Sequence, residues 1–331
     1  MAAWPARGRT LLPGVLASGV VAAAAAFLGG HYGAPVLLFA LLLGMAMNFL
    51  SAEGPCAPGI DFTARQVLRV GVALLGLRIT VGQVAGLGWE PVALVVGSVV
   101  LTIALSMLAA RLLGFQALFG LLSGGATAIC GASAALALAA ALPAHPQKER
   151  ATLFTVVGVS ALSTLAMIAY PLLARTLGLD ERAAGIFLGA TIHDVAQVVG
   201  AGYSMSHETG DVATVVKLMR VAMLLPVIVF TVVLTRARTG EAGGPKPPLL
   251  PWFAVAFALL VVVGSTGWIP VRLAGVGNDV SRACLVAAMA AIGMKTHLRE
   301  LASVGLKPVA LMVGETVFLA ALVLALLDAG I

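Results

Sequence analysis

From Leu11 to Leu327 the chain alternates between long apolar runs and short gaps that collect most of its charged residues. A helix of about twenty residues, rising 1.5 Å per residue, crosses the ~30 Å hydrocarbon layer of a bilayer. Eleven runs of this kind are predicted, at 11–29, 34–50, 63–82, 90–110, 115–142, 151–175, 183–204, 211–235, 249–269, 281–298 and 306–327. Each is expected to be helical, because backbone N–H and C=O groups cannot be left unpaired in lipid and the ten-residue alternation of a transmembrane β-barrel is lacking. The first run has no small-residue cleavage site and is read as a retained span rather than a signal peptide. The expected fold is therefore an all-α polytopic membrane protein, with residues 1–331 forming a single transmembrane domain.

Composition supports the same class. Of 331 residues, 60% are apolar and only 10% are charged, and the mean hydropathy is +1.06, far from the values of soluble domains. With eleven spans, the basic residues divide thirteen to seven in favour of a cytoplasmic N-terminus, which predicts N-in, C-out insertion in a bacterial inner membrane. The net charge of +6 then follows from topology and does not imply a nucleic-acid partner. Cys56, Cys130 and Cys284 have neither pairing logic nor metal-ligand spacing, so no disulfide, metal or cofactor is expected. The polar stretch "RARTGEAGGPKPP" (236–248) reads as a cytoplasmic linker between spans eight and nine.

Two segments match each other. "LGLRITVGQVAGLGWEPVALVVG" (75–97) and "IGMKTHLRELASVGLKPVALMVG" (292–314) share nine identities in 23 positions without a gap. They begin in spans three and ten, an odd number of crossings apart, so they would insert in opposite orientations as an inverted repeat. Chance convergence in an Ala/Val/Leu-rich chain is the alternative, and the repeat boundaries stay open, since halves made of spans 2–6 and 7–11 would put the copies at non-equivalent positions.

Span five carries an unusual load of small and hydroxylated residues: Ser123, Gly124, Gly125, Thr127, Cys130, Gly131 and Ser133. Glycine inside a helix costs roughly 1 kcal/mol against alanine, so a discontinuous helix is expected here. At such a break, free amides and the positive end of a helix dipole can face an anion. A close-packing face of small residues is the competing interpretation. Cys130 has no activating base beside it in sequence and reads as a packing residue.

Span seven places His193 and Asp194 in an apolar run, with Gln197 one turn further on. Ionisable groups at that depth mark pathways or proton relays, or else find structural partners. Lys217 and Arg220, three residues apart in span eight, could neutralise such a carboxylate or hold an anionic substrate. Asn48, Gly293, Lys295 and Glu315 are secondary candidates, with snorkelling sufficient to account for Lys295.

The segments "GGATAICGASAALALAAAL", "GATIHDVAQVVGAG" with the following "VVKLMRV", and "AAIGMKTHLREL" resemble the signature segments of the sulfate exporter family, the YeiH-type bacterial inner membrane proteins, from about span two to span eleven. Such families resemble in turn the bile acid/sodium symporter-like and sodium/proton antiporter-like folds. The resemblance implies inverted repeats with broken, crossing helices, assigned to span five and to span ten around "AAIGMK". It also implies a secondary transporter of sulfate, sulfite or a sulfonate, without settling direction or coupling ion.

The expected function is thus an ion-coupled anion transporter, not an enzyme, working by alternating access and drawing on a gradient, since no Gly-x-x-x-x-Gly-Lys-Ser/Thr motif occurs. The anion is expected at Ser123, Gly124, Gly125, Thr127, Cys130, Gly131 and Ser133 with Lys217 or Arg220. Coupling to a proton or sodium ion is expected at His193, Asp194 and Gln197. A sodium/proton antiporter using Asp194 is the alternative. An intramembrane hydrolase using His193 is a minor one, because adjacent His and Asp side chains diverge by about 100° on a helix. A small-residue face could support a homodimer.

Overall fold

The computed structural model describes residues 4–32, 36–52, 54–142, 148–239, 252–296 and 306–330. Its described elements are all helical. Among the described residues five helices are long and apolar enough to cross a membrane: Arg9–Tyr32, Glu90–Leu112, Arg150–Thr176, His207–Leu234 and Leu306–Asp328. Shorter apolar helices accompany them, and the long ones carry outward-facing Leu101, Leu105, Leu108, Leu172, Val233 and Val317. Large apolar side chains on the outer faces of a helical protein suit lipid rather than water. The chain is a multi-pass helical membrane protein.

The helices gather into two compact units. The first, residues 1–86, 203–205 and 251–297, contains α1 (Trp4–Tyr32), α2 (Val36–Ala46), α3 (Phe49–Ala52), α4 (Ala57–Phe62), α5 (Leu68–Leu75) and α6 (Val81–Gly86). α4 runs into α5 through a π-helical turn at Thr63–Val67. The second, residues 87–202, 206–250 and 298–331, contains α7 (Glu90–Leu112), α8 (Ala117–Ala128), α9 (Ala132–Ala141), α10 (Lys148–Thr176), α11 (Glu181–Thr191), most of α12 (Val195–Met205), α13 (His207–Ala222) and α14 (Leu224–Thr239). Later in the chain α15 (Trp252–Ser265) and α16 (Val271–Lys295) belong to the first unit, and α17 (Leu306–Asp328) to the second.

In the first unit α16 packs on α1, α2 and α5. Gly44 and Gly293 face one another where α2 crosses α16, and a Cβ on either would strike the partner backbone, at Ala290 O and Leu41 O respectively. Gly293 is thus a close-packing position. Lys295 pairs with Asp61, whose Oδ1 also lies 3.0 Å from Arg65 Nε. Asn48 occupies the turn between α2 and α3.

Several boundaries differ from the sequence expectation. Span three starts earlier, at Ala57, and stops at Leu75. Span two ends at Ala46 instead of 50. Span ten begins ten residues early, at Val271, because Asn278, Asp279 and Arg282 made its first half look too polar for a span. "AAIGMK" lies inside this unbroken helix, so the expected interruption of span ten is not there. Of the 236–248 linker, residues 236–239 end α14 and the rest lies outside the described residues, as do residues 297–305 of the second repeat copy.

Candidate functional site

The expected interruption of span five falls after Ala128. Ile129 leaves helical geometry (φ −107°, ψ −85°), Gly131 takes φ 65°, ψ −132°, and α9 starts at Ala132. A left-handed φ is open to glycine at little cost and strains other residues, which explains the second glycine of "CGAS". A Cβ at Gly131 would sit 3.6 Å from His193 Cβ and 3.7 Å from its carbonyl carbon. The break in span five therefore abuts the His193 segment.

That segment is itself a second interruption, which the sequence did not announce. α11 ends at Thr191, Ile192 and Asp194 are extended, and α12 begins at Val195. Asp194 caps α12: its Oδ1 accepts from the Ala196 N–H at 2.8 Å, while its own N–H donates to Ser163 Oγ at 3.0 Å. His193 is fully buried. Its Nδ1 lies 3.0 Å from the Thr191 carbonyl, which can only accept, so Nδ1 carries a proton; Nε2 lies 3.0 Å from Thr316 Oγ1 of α17. Gln197 Nε2 donates to Thr164 Oγ1 at 2.9 Å, and its Oε1 has no partner among the described residues.

Lys217 and Arg220 project from α13 into the place where the two breaks meet, and both are fully buried. Lys217 Nζ donates to the carbonyls of Ile129 at 2.7 Å and Ile192 at 3.0 Å. Arg220 donates from Nε to Ala128 O at 2.7 Å, from Nη2 to Thr127 O at 2.8 Å, and from Nη1 to Gly189 O and Ile192 O at 3.1 and 3.0 Å. A helix C-terminus exposes unpaired carbonyls and a partial negative charge. The cation pair satisfies two such ends at once, those of α8 and α11. Two buried positive charges are thus held by main-chain dipoles rather than by a carboxylate salt bridge.

The remaining span-five candidates divide. Ser123 Oγ donates to Glu315 Oε1 at 2.7 Å and Thr127 Oγ1 to Glu315 Oε2 at 3.1 Å, so both hydroxyls turn toward α17. Gly124 allows Ser106 of α7 to approach: a Cβ there would overlap the Ser106 side chain, and one at Gly125 would meet Leu138. Cys130 is buried within the break, and Ser133 stands exposed in the first turn of α9. Asn48, Gly293 and Lys295 belong to the other unit. Sequence reading missed Ser106, Ser163, Thr164 and Thr316. A hydroxyl in an apolar helix ordinarily bonds back to the carbonyl four residues earlier, as Thr214 does to Gly210 O, so its wider partners cannot be told from sequence.

Fold and site together define a polytopic helical membrane protein whose two interrupted helices meet at a buried cation pair. The family model described as conserved hypothetical protein 698 matches residues 13–312. The chain is 56% identical over 314 residues to a UPF0324 membrane protein of Chlorobaculum tepidum, covering 94% of this chain and 88% of that one. It is 51% identical over 324 residues to the UPF0324 membrane protein TauZ of Paracoccus denitrificans, covering 96% of each. A UPF0324 membrane protein of Rhizobium meliloti is 52% identical over 315 residues, with 95% and 91% covered. The chain belongs to this family, that of the YeiH-type membrane proteins. No solved structure matches it.

Proposed function

We propose that this protein is an ion-coupled secondary transporter of a small sulfur oxyanion, such as sulfate, sulfite or a sulfonate, and that it acts as an exporter by alternating access. The supporting observation is the cation pair at the two breaks. Lys217 and Arg220 cancel the negative ends of α8 and α11, which leaves the positive, amide-bearing ends of the second half-helices dominant. Asp194 occupies the amides of α12. α9 begins at a glycine with no side-chain cap, so its first-turn amides, with Gly131 and the exposed hydroxyl of Ser133, are the anion site in this proposal. Lys217 and Arg220 act on the anion through their field rather than by contact, and Ser123 and Thr127 through the shape of the break. His193, Asp194 and Gln197 line the second interruption and respond to the coupled proton or sodium ion.

The proposal includes eleven spans, an inverted repeat and an inner-membrane location with the N-terminus cytoplasmic. Pro91 in the first turn of α7 and Pro308 in that of α17 support the repeat, since both copies lead through a proline into a helix of 23 residues. The hydrolase alternative loses ground because both ring nitrogens of His193 face Thr191 and Thr316 instead of Cys130.

Thermal unfolding of the purified protein in detergent tests the proposal, with sulfate, sulfite, taurine, chloride and sodium supplied separately at two pH values. A ligand of the folded state at a hundred times its Kd stabilises by about 2.7 kcal/mol. One oxyanion is expected to stabilise the wild type and to lose that effect in Ser133→Ala combined with Gly131→Ala. Stabilisation by sodium alone, lost in Asp194→Asn, would replace the anion transporter with the antiporter.

A further inference from the structure

Glu315 lies on α17 and is only 3% exposed. It makes no ion pair among the described residues. Hydroxyls surround it instead: Ser106 Oγ in a short contact and Ser123 Oγ at 2.7 Å on Oε1, and Thr127 Oγ1 at 3.1 Å on Oε2. The helices packed on α17 are α7, α8, α10 and α11. α7 has ionisable residues only at its ends, Glu90 and Arg111, and α8 has none. α11 has Glu181 and Arg182 in its first turn, while α10 has Lys148, Glu149 and Arg150 at its start and Tyr170 and Arg175 near its end. Lys307 and Asp328 lie at the ends of α17 itself. His193, bonded to the neighbouring Thr316, is the nearest titratable contact. Arg220 reaches the cluster only through the carbonyl of Thr127.

Counting protons explains why hydroxyls suit this position. Ser106 Oγ also lies 2.8 Å from the carbonyl of Gly120, which can only accept. When Glu315 is ionised, Ser106, Ser123 and Thr127 each donate to it. When it is protonated, its own O–H donates to Ser106 Oγ and Ser106 passes its hydrogen to Gly120 O. Both states are satisfied by the same heavy-atom positions, and the change needs only the rotation of hydroxyls. A fixed cation at this place would hold the carboxylate in one state, whereas neutral donors allow both. The donors come from α7 and from the interrupted helix α8, so the proton occupancy of Glu315 sets how three helices are tied together.

We propose that Glu315, with Ser106, Ser123 and Thr127, is a proton-binding site that latches α17 to the interrupted helix, and that its proton is the ion coupled to transport. The coupling half rests on the transporter proposal; the proton site does not.

Infrared difference spectra of the full-length protein in lipid, acidic minus alkaline, test the site directly. The carbonyl stretch of a buried carboxylic acid is expected in wild type, shifted in D2O, and lost in Glu315→Gln. In case that variant does not fold, Ser123→Ala and Thr127→Val each remove one hydrogen bond from the carboxyl group and are expected to move the band to higher frequency. Persistence of the band in Glu315→Gln, or an unmoved band in both hydroxyl variants, overturns the proposal. So does its absence at every pH at which the protein is folded.

For coupling, proteoliposomes containing a pH-sensitive dye are given a gradient of sulfate, sulfite or taurine. A dye response in wild type that disappears in Glu315→Gln supports the proposal, and a response of wild-type size in that variant overturns it. No dye response to any of the three anions in wild type removes the coupling and counts against the transporter, while the infrared band still decides the proton site.

Discussion

The interruptions at Ile129–Gly131 and at Ile192–Asp194 are built alike on one side and differently on the other. Each first half-helix ends in carbonyls that Lys217 and Arg220 cap together. The second halves start differently: α12 from an aspartate whose carboxylate takes its first-turn amide, α9 from a glycine that brings no side chain at all. Helix N-termini attract anions. One of the two therefore carries its own anion in Asp194, and the other has amides to spare. The asymmetry identifies where a soluble anion could bind, which the shared cation pair alone could not do.

Removing the shared element should have the largest effect. Arg220→Leu leaves four carbonyl contacts without their donor, and buried acceptors deprived of a charged partner cost about 1–3 kcal/mol each. We expect a loss on the order of 5 kcal/mol in equilibrium unfolding, with both breaks disturbed together. A loss below about 1 kcal/mol would mean that solvent replaces the guanidinium and that the two breaks are independent. Next comes the element found only in α9. Gly131→Ala has room for its methyl group, since the nearest atom is 3.6 Å away, so its cost is backbone strain of about 1–2 kcal/mol, accompanied by loss of oxyanion stabilisation. The counterpart Asp194→Ala removes an N-cap, about 1 kcal/mol, and should leave oxyanion stabilisation in place. If Gly131→Ala kept the oxyanion effect and Asp194→Ala lost it, the roles of the two breaks would be reversed.

What could be read from the sequence follows from how local each cause is. The α8 break is a local event: glycine and hydroxylated residues clustered in an apolar run lower the cost of unwinding, and Gly131 supplies the backbone conformation. The break at Ile192–Asp194 has no glycine at its joint. It depends on Asp194 acting as a cap and on Lys217 and Arg220 receiving the α11 carbonyls from another helix, and such partners are 25 to 31 residues away. His193 and Asp194 were visible as buried polar residues, but their use as a helix joint was not. The Glu315 cluster is less local still: Ser106 and Glu315 are 209 residues apart, and nothing in either helix announces the other. Gly293 belongs to the same lesson, since the partner that requires it, Gly44, lies in another helix.

The smallest change tests the asymmetry most finely. Asparagine caps a helix about as well as aspartate, so Asp194→Asn should keep the α12 joint and alter unfolding by less than about 0.5 kcal/mol. It nevertheless deletes a negative charge from the segment beside Gly131. An anion at the start of α9 is repelled by that charge across a partly desolvated gap, and relief of about 1 kcal/mol is a reasonable share of such an interaction. The oxyanion concentration giving half-maximal thermal stabilisation should then fall about fivefold. An unchanged concentration, with stability preserved, would mean that the bound anion does not feel Asp194 and lies elsewhere than the α9 terminus. A higher concentration would mean that Asp194 helps to hold the ligand, which a carboxylate can do for a cation or for an amino group but not for sulfate.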